Sequence, residues 1–226
     1  MIKSAKTLVI FLIISSSLFA CSYPLKIKNT QEFVVTPKFS PTETRLNIGV
    51  SSFTGTPDEQ FFYNIVLEKL STKPFVGKME APYKFRNSND SDEKFKPDFA
   101  ISIEPHVDYN GSGWNYLITF PGFLIFTHAW NGFAYEADIT TKINIINVKT
   151  NETRSFDIKT VYNFRHCDFG RGFWASSGWF LPGLGATSLI AGFFMIQYDD
   201  DATDEFQTHV KDNYGNYVVE KISDAI

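Results

Sequence analysis

The chain has 226 residues, of which 43% are apolar, 16% aromatic and 20% charged, with only two cysteines. That composition excludes a disordered, collagen-like or disulfide-stapled protein. Lys and Arg number 21 against 25 Asp and Glu, so the formal charge of −4 gives no footprint for a nucleic-acid partner.

At the N-terminus, Lys3 and Lys6 precede an unbroken apolar run from Leu8 to Ile14, followed by Ser15 to Ser17 and Leu18-Phe19-Ala20-Cys21. A positive start, a short apolar stretch and small residues near the cleavage point predict a secretory signal peptide over 1–20. The run is too short to span a bilayer, which takes about 20 residues. Leu18, Ala20 and Cys21 resemble the lipobox of bacterial lipoproteins, with Phe19 at its tolerant position. The resemblance implies that Cys21 becomes the acylated N-terminus. Each buried methylene of such a chain adds roughly 0.8 kcal/mol of membrane affinity. Ser22 follows, and in the enterobacterial sorting pattern a residue other than Asp there implies the outer membrane, with the rest of the protein in the periplasm.

Residues 21–45 contain Pro24, Pro37 and Pro41 and little apolar periodicity, and are expected to form an extended tether. Leu46, Ile48, Val50 and Ser52 then alternate as one face of a strand over 46–53. Thr56 and Pro57 fit the N-cap and first position of a helix, with Asp58 and Glu59 in its first turn. Phe61, Phe62, Ile65, Val66 and Leu70 give the helical spacing, and the helix should stop before Pro74. Residues 71–97 are broken by Pro74, Pro82 and Pro97, with a surface loop over 87–93.

Pro97-Asp98 opens a strand from Phe99 to Val107. Glu136 to Val148 and Arg154 to Phe164 form a hairpin about a turn at Thr150-Asn151-Glu152, with Ala137, Ile139, Thr141, Ile143 and Ile145 on one face. From Asp199 onward, Ala202, Phe206, Val210, Val218, Val219 and Ile222 suggest a closing helix interrupted near Gly215. The acidic run Asp199 to Asp201, Asp204 and Glu205 suits the start of that helix and lacks the spacing of an EF-hand loop.

Two stretches stand apart. No Asp, Glu, Lys or Arg occurs in 109–135 or in 172–198, each 27 residues long, and all four tryptophans fall inside them. Each has a central breaker, Pro121-Gly122 in the first and Pro182-Gly183 in the second, so each is expected to fold back as a hairpin insert. Trp114, Tyr116, Ile118 and Phe120 alternate in the manner of a strand; the last arm, Ala186 to Ile196, suits a short helix equally. Two uses of the inserts stay open. Trp114, Phe120, Trp130, Trp174, Trp179 and Phe193 either contact a membrane or a second copy of the chain, or belong to an internal aromatic core.

This order of elements resembles a group of outer-membrane lipoproteins typified by the curli secretion lipoprotein and the conjugative surface-exclusion lipoprotein. The matching features are Leu18 to Cys21, the strand and helix at 46–70, the strand opened by Pro97-Asp98-Phe99 and the long strand ending near Val148. The resemblance implies an acylated cysteine ahead of an α/β periplasmic domain with hydrophobic inserts, and allows ring-like assembly. The inserts lack the two-residue alternation of barrel hairpins, which speaks against a pore.

Enzymatic signals are thin. His106, His128, His166 and His209 include no HExxH pair, and no phosphate loop or Gly-x-Ser-x-Gly elbow occurs. His106 and Asp108 on one strand face are a weak metal or acid–base hint. Cys167, the cysteine left once Cys21 is acylated, reads first as a small packed hydrophobe. No cofactor or metal is expected. The expected fold is α+β, a mixed or antiparallel sheet packed by two or three helices, forming a single α/β envelope domain over 46–226 with inserts 109–135 and 172–198. The expected role is a lipid-anchored scaffolding, assembly or exclusion component that contacts membrane or forms a homo-oligomer. The alternative is a monomeric periplasmic binding module with an aromatic-lined pocket.

Overall fold

The structure, a computed structural model, describes residues 23–34, 45–84, 95–119, 127–180 and 186–226. The expected signal segment, Cys21, residues 35–44 of the expected tether, the loop at 87–93, Phe120 and both Pro-Gly breakers lie outside the described residues.

Six strands form one mixed sheet. They are β1 (Tyr23–Ile27), β2 (Leu46–Val50), β3 (Val76–Glu80), β4 (Phe99–Gly111), β5 (Phe133–Asn147) and β6 (Thr153–Cys167), in the spatial order β1-β6-β5-β4-β2-β3. β2 runs parallel to both β3 and β4, whereas β1 is antiparallel to β6. Two long helices, α1 (Pro57–Ser71) and α6 (Thr203–Ala225), account for the helices expected outside the inserts. The inserts supply four more: α2 (Trp114–Thr119), α3 (Thr127–Asn131), α4 (Phe169–Phe180) and α5 (Ala186–Ile196). The architecture is the expected α+β one. Its contacts divide into two compact units, one of Met1–Asn29, Tyr109–Ala137 and Tyr162–Thr208, the other of Thr30–Asp108, Asp138–Val161 and His209–Ile226.

The second unit follows the sequence closely. Thr56 closes a capping box on α1: its hydroxyl accepts from Glu59 N at 3.3 Å while Glu59 Oε2 accepts from Thr56 N at 2.8 Å. The expected apolar faces are buried, with Phe62, Val66 and Leu70 from α1 and Ile139, Ile143 and Ile145 from β5. Asp98 Oδ2 accepts from Asn47 N, and Lys149 Nζ lies 2.7 Å from its Oδ1. The Lys149 contact, followed by the Asn47 bond, holds the Asp98 carboxyl below its ordinary pKa.

Three expectations change. The tether was expected to start at residue 21, yet Tyr23–Ile27 is strand β1, paired through Tyr23–Cys167, Lys26–Arg165 and Ile27–Phe164. Leu25 is buried there, and at a sheet edge Pro24 costs no interior ladder bond. Val76–Glu80, within the stretch read as broken by prolines, is a short edge strand beside β2. The closing helix is unbroken at Gly215, and a Cβ there would come within 2.7 Å of Ile65 Cγ2 and 2.9 Å of Lys69 Cγ. The glycine is a close-approach residue between α6 and α1.

Candidate functional site

The uncharged stretches both lie in the first unit, and their arms are helical where strand-like hairpin arms were expected in the first stretch. The physical reason is local. A helix satisfies its own N–H and C=O groups, whereas an arm extended beyond the sheet needs a partner strand for each of them.

α2 is fixed to β5 by an amide clip. Asn115, fully buried, donates from Nδ2 to the Ala134 carbonyl at 2.9 Å and accepts from Ala134 N at 2.6 Å. α2 also packs against α5, where Gly192 leaves room for the Tyr116 ring, whose Cδ2 would lie 2.7 Å from a Cβ at that position. At the base, Gly111 sits so close to α5 that a Cβ would lie 1.6 Å from the Ile196 carbonyl oxygen.

α4 begins after Asp168, whose carboxylate accepts from the Arg171 backbone N–H. The Arg171 side chain then ties α4 to the end of α5. Its Nη2 donates to the carbonyls of Phe194 at 3.1 Å and Gln197 at 2.7 Å, and its Nη1 lies 3.3 Å from Asp199. The guanidinium also stacks near the rings of Phe133 and Tyr135, 5.6 and 5.5 Å from their centroids. These are the carbonyls that a helix C-terminus leaves without intrahelical partners. His128 of α3 is buried flat against Phe133, ring centroids 5.9 Å apart. Burial lowers its pKa to about 4, against an opposing hydrogen bond to the Gly172 backbone.

With Asn115, Thr119, His128, Ala175 and Met195 turned inward, the large aromatics face out. Trp114 and Trp174 are each 69% exposed, Trp130 65% and Phe193 67%. Leu117, Phe169, Phe173, Ile190 and Phe194 are exposed as well, making nine large apolar side chains on this unit, while Val34 and Val148 are the exposed ones elsewhere among the described residues. Phe169 stacks on Phe173, and Phe193 lies 5.5 Å from Tyr116. Four of the singled-out residues, Trp114, Trp130, Trp174 and Phe193, are therefore exposed on one unit. Trp179 belongs to α4, but its side chain lies outside what the structure describes, as do Phe120 and Cys21. Arg171 and Asn115, which organise the surface, carried no motif that sequence reading could single out.

Other candidates resolve into ordinary contacts. His106 Nδ1 is 2.7 Å from Glu59 Oε1 and its Nε2 is 3.5 Å from Asp108, with the ring exposed. Burial by itself would raise the Glu59 pKa; its bonds to Thr56 and His106 outweigh that and lower it. Asp168, Asp199 and Asp201 converge closely enough for a cation, yet Arg171 already supplies positive charge against Asp199. Cys167 is buried, its thiol 3.4 Å from the Asp168 carbonyl. A groove of about 430 Å³ beside Trp114 has a mixed wall, with Tyr135 and Phe164 as well as Trp114 beside Lys28, Glu136 and Arg165.

Compared with known proteins, the chain matches no family model and no curated sequence.

Proposed function

We propose that the protein is a lipid-anchored cell-envelope lipoprotein of the outer membrane, facing the periplasm, with a scaffolding, assembly or exclusion role exerted through its aromatic helices. The concentration of nine exposed large apolar side chains on α2 to α5 carries this reading. A soluble protein seldom leaves so many large apolar side chains of one unit open to water unless something covers them. The lipobox-like Leu18 to Cys21 supplies the anchor in this reading, through acyl chains rather than a spanning segment. No catalytic step is assigned to it.

The reading is tested in cells. Globomycin should accumulate a precursor, and Cys21→Ser should abolish lipid labelling of the protein. Normal processing under globomycin would overturn the anchor. In-cell cross-linking should yield complexes that contain the protein, and a product that is monomeric throughout would overturn assembly.

The groove beside Trp114 favours a second reading, a monomeric periplasmic binding module whose pocket carries Trp114, Tyr135 and Phe164. Saturable binding lost in Asn163→Ala and Arg165→Ala, with anchoring intact, would favour it over assembly.

A further inference from the structure

We infer that the aromatic helical surface is seated in the same phospholipid leaflet that receives the acyl chains of Cys21, an inference that rests on the lipid-anchor reading above. Chain length carries it. Only Ser22 stands between Cys21 and Tyr23, the first residue of β1. The α-carbons of residues 21 and 23 therefore lie within about 7 Å of each other. Tyr23 pairs with Cys167, and α4 begins at Phe169. The Tyr23 ring also lies against Gly132, where a Cβ would come within 2.6 Å of its Cδ1. Gly132 directly follows α3 and its exposed Trp130. A lipid on Cys21 is thus tied within a few residues of the start of α4 and the end of α3. No tether is left to hold these helices away from the headgroups.

The chemistry of the surface selects lipid over a second copy of the chain. Residues 109–135 and 172–198 contain no Asp, Glu, Lys or Arg, which is what hydrocarbon demands. Exposed Trp114, Trp130 and Trp174 suit the headgroup boundary, where an indole keeps its N–H wet and its rings dry. Helix length sets the depth. α4 has 12 residues and α5 has 11, about 18 and 17 Å at 1.5 Å per residue. The hydrocarbon core is about 30 Å thick, and no helix of the described residues is long and apolar enough to cross it. The helices enter one leaflet only.

All four tryptophans lie in these stretches and three of them, Trp114, Trp130 and Trp174, are exposed on this surface, so the emission reports on it without labelling. The acylated full-length protein is reconstituted in phosphatidylethanolamine–phosphatidylglycerol vesicles with and without brominated acyl chains. Bromolipid should quench most of the emission and aqueous iodide little of it. In Phe193→Asp, with an unchanged far-UV circular dichroism spectrum, bromolipid quenching should drop while flotation with vesicles persists. Flotation with strong iodide quenching and no bromolipid quenching would overturn the inference while leaving the anchor in place. Cross-linked dimers together with absent bromolipid quenching would overturn it in favour of a second copy. Mass spectrometry of the N-terminal peptide reads the anchor separately: an unmodified Cys21 overturns the anchor reading and the adjacency argument with it.

Discussion

Arg171 donates from Nη2 to the carbonyl oxygen of Gln197 at 2.7 Å, linking the first turn of α4 to the residue that follows α5. The charged residue that closes one edge of the second uncharged stretch therefore neutralises the helix end at the other edge. A cation placed among C-terminal carbonyls also complements the negative end of the helix dipole.

Replacing Arg171 by Met should destabilise the fold by about 3 kcal/mol, because it takes the guanidinium away from Asp199 and the Gln197 carbonyl in a largely buried place. Arg171→Lys should recover little, since an ammonium cannot reach both carbonyls and stack on Tyr135 at once. Urea unfolding midpoints of the two variants check this; full recovery by lysine would show that charge alone is what matters.

The Asn115 clip predicts an order among substitutions. Asn115→Ala should cost about 1–3 kcal/mol by leaving Ala134 N–H and C=O without their side-chain partner. Asn115→Asp should cost more, because it buries a charge and turns an acceptor toward the Ala134 carbonyl. Thermal melts rank the two, and hydrogen exchange at Ala134 shows whether the loss is local to α2.

Acid should weaken the protein through His128. Its pKa is about 4 in the fold against an ordinary 6.5, so the unfolded chain binds this proton first. Stability from this group is complete above pH 6.5 and is lost as pH falls toward 4. The slope approaches about 1.4 kcal/mol per pH unit and the total about 3 kcal/mol. Chemical denaturation at pH 7 and pH 5 should show the loss in wild type and a shallower one in His128→Gln. Parallel pH profiles would locate the acid sensitivity elsewhere.

Two glycines should respond unequally to alanine. At Gly111 the new methyl would meet the Ile196 backbone oxygen, which can move only with the end of α5, and a cost of about 1–3 kcal/mol follows. At Gly215 the nearest atoms it would meet belong to side chains, Ile65 Cγ2 and Lys69 Cγ. That crowding is offset by the roughly 1 kcal/mol that alanine gains over glycine inside a helix. Gly215→Ala should melt near wild type and Gly111→Ala well below it. Equal melting points would remove the distinction.

The second unit was largely legible because its signals are local. The Thr56–Glu59 capping box, the α1 apolar spacing and the alternation of Ile139, Thr141, Ile143 and Ile145 each depend on neighbours in sequence, and each appears as expected. β1 and β3 were not legible. Short edge strands bury little, so Leu25 gave almost no periodicity, and prolines beside them imitate a linker.

For the candidate site, the sequence by itself determined which residues are uncharged, where the tryptophans cluster and where Cys21 lies. Those are properties of composition, and no folding can alter them. Whether the aromatics face inward or outward was a tertiary decision. Periodicity says that a segment has an apolar side, but not which side its neighbours cover. Here the Asn115 clip, Gly192 and the Arg171 bonds hold α2, α4 and α5 in place, and Asn115, Thr119, Ala175 and Met195 are turned inward among the described side chains. Trp114, Trp174 and Phe193 are left facing out because the interior contacts are already taken.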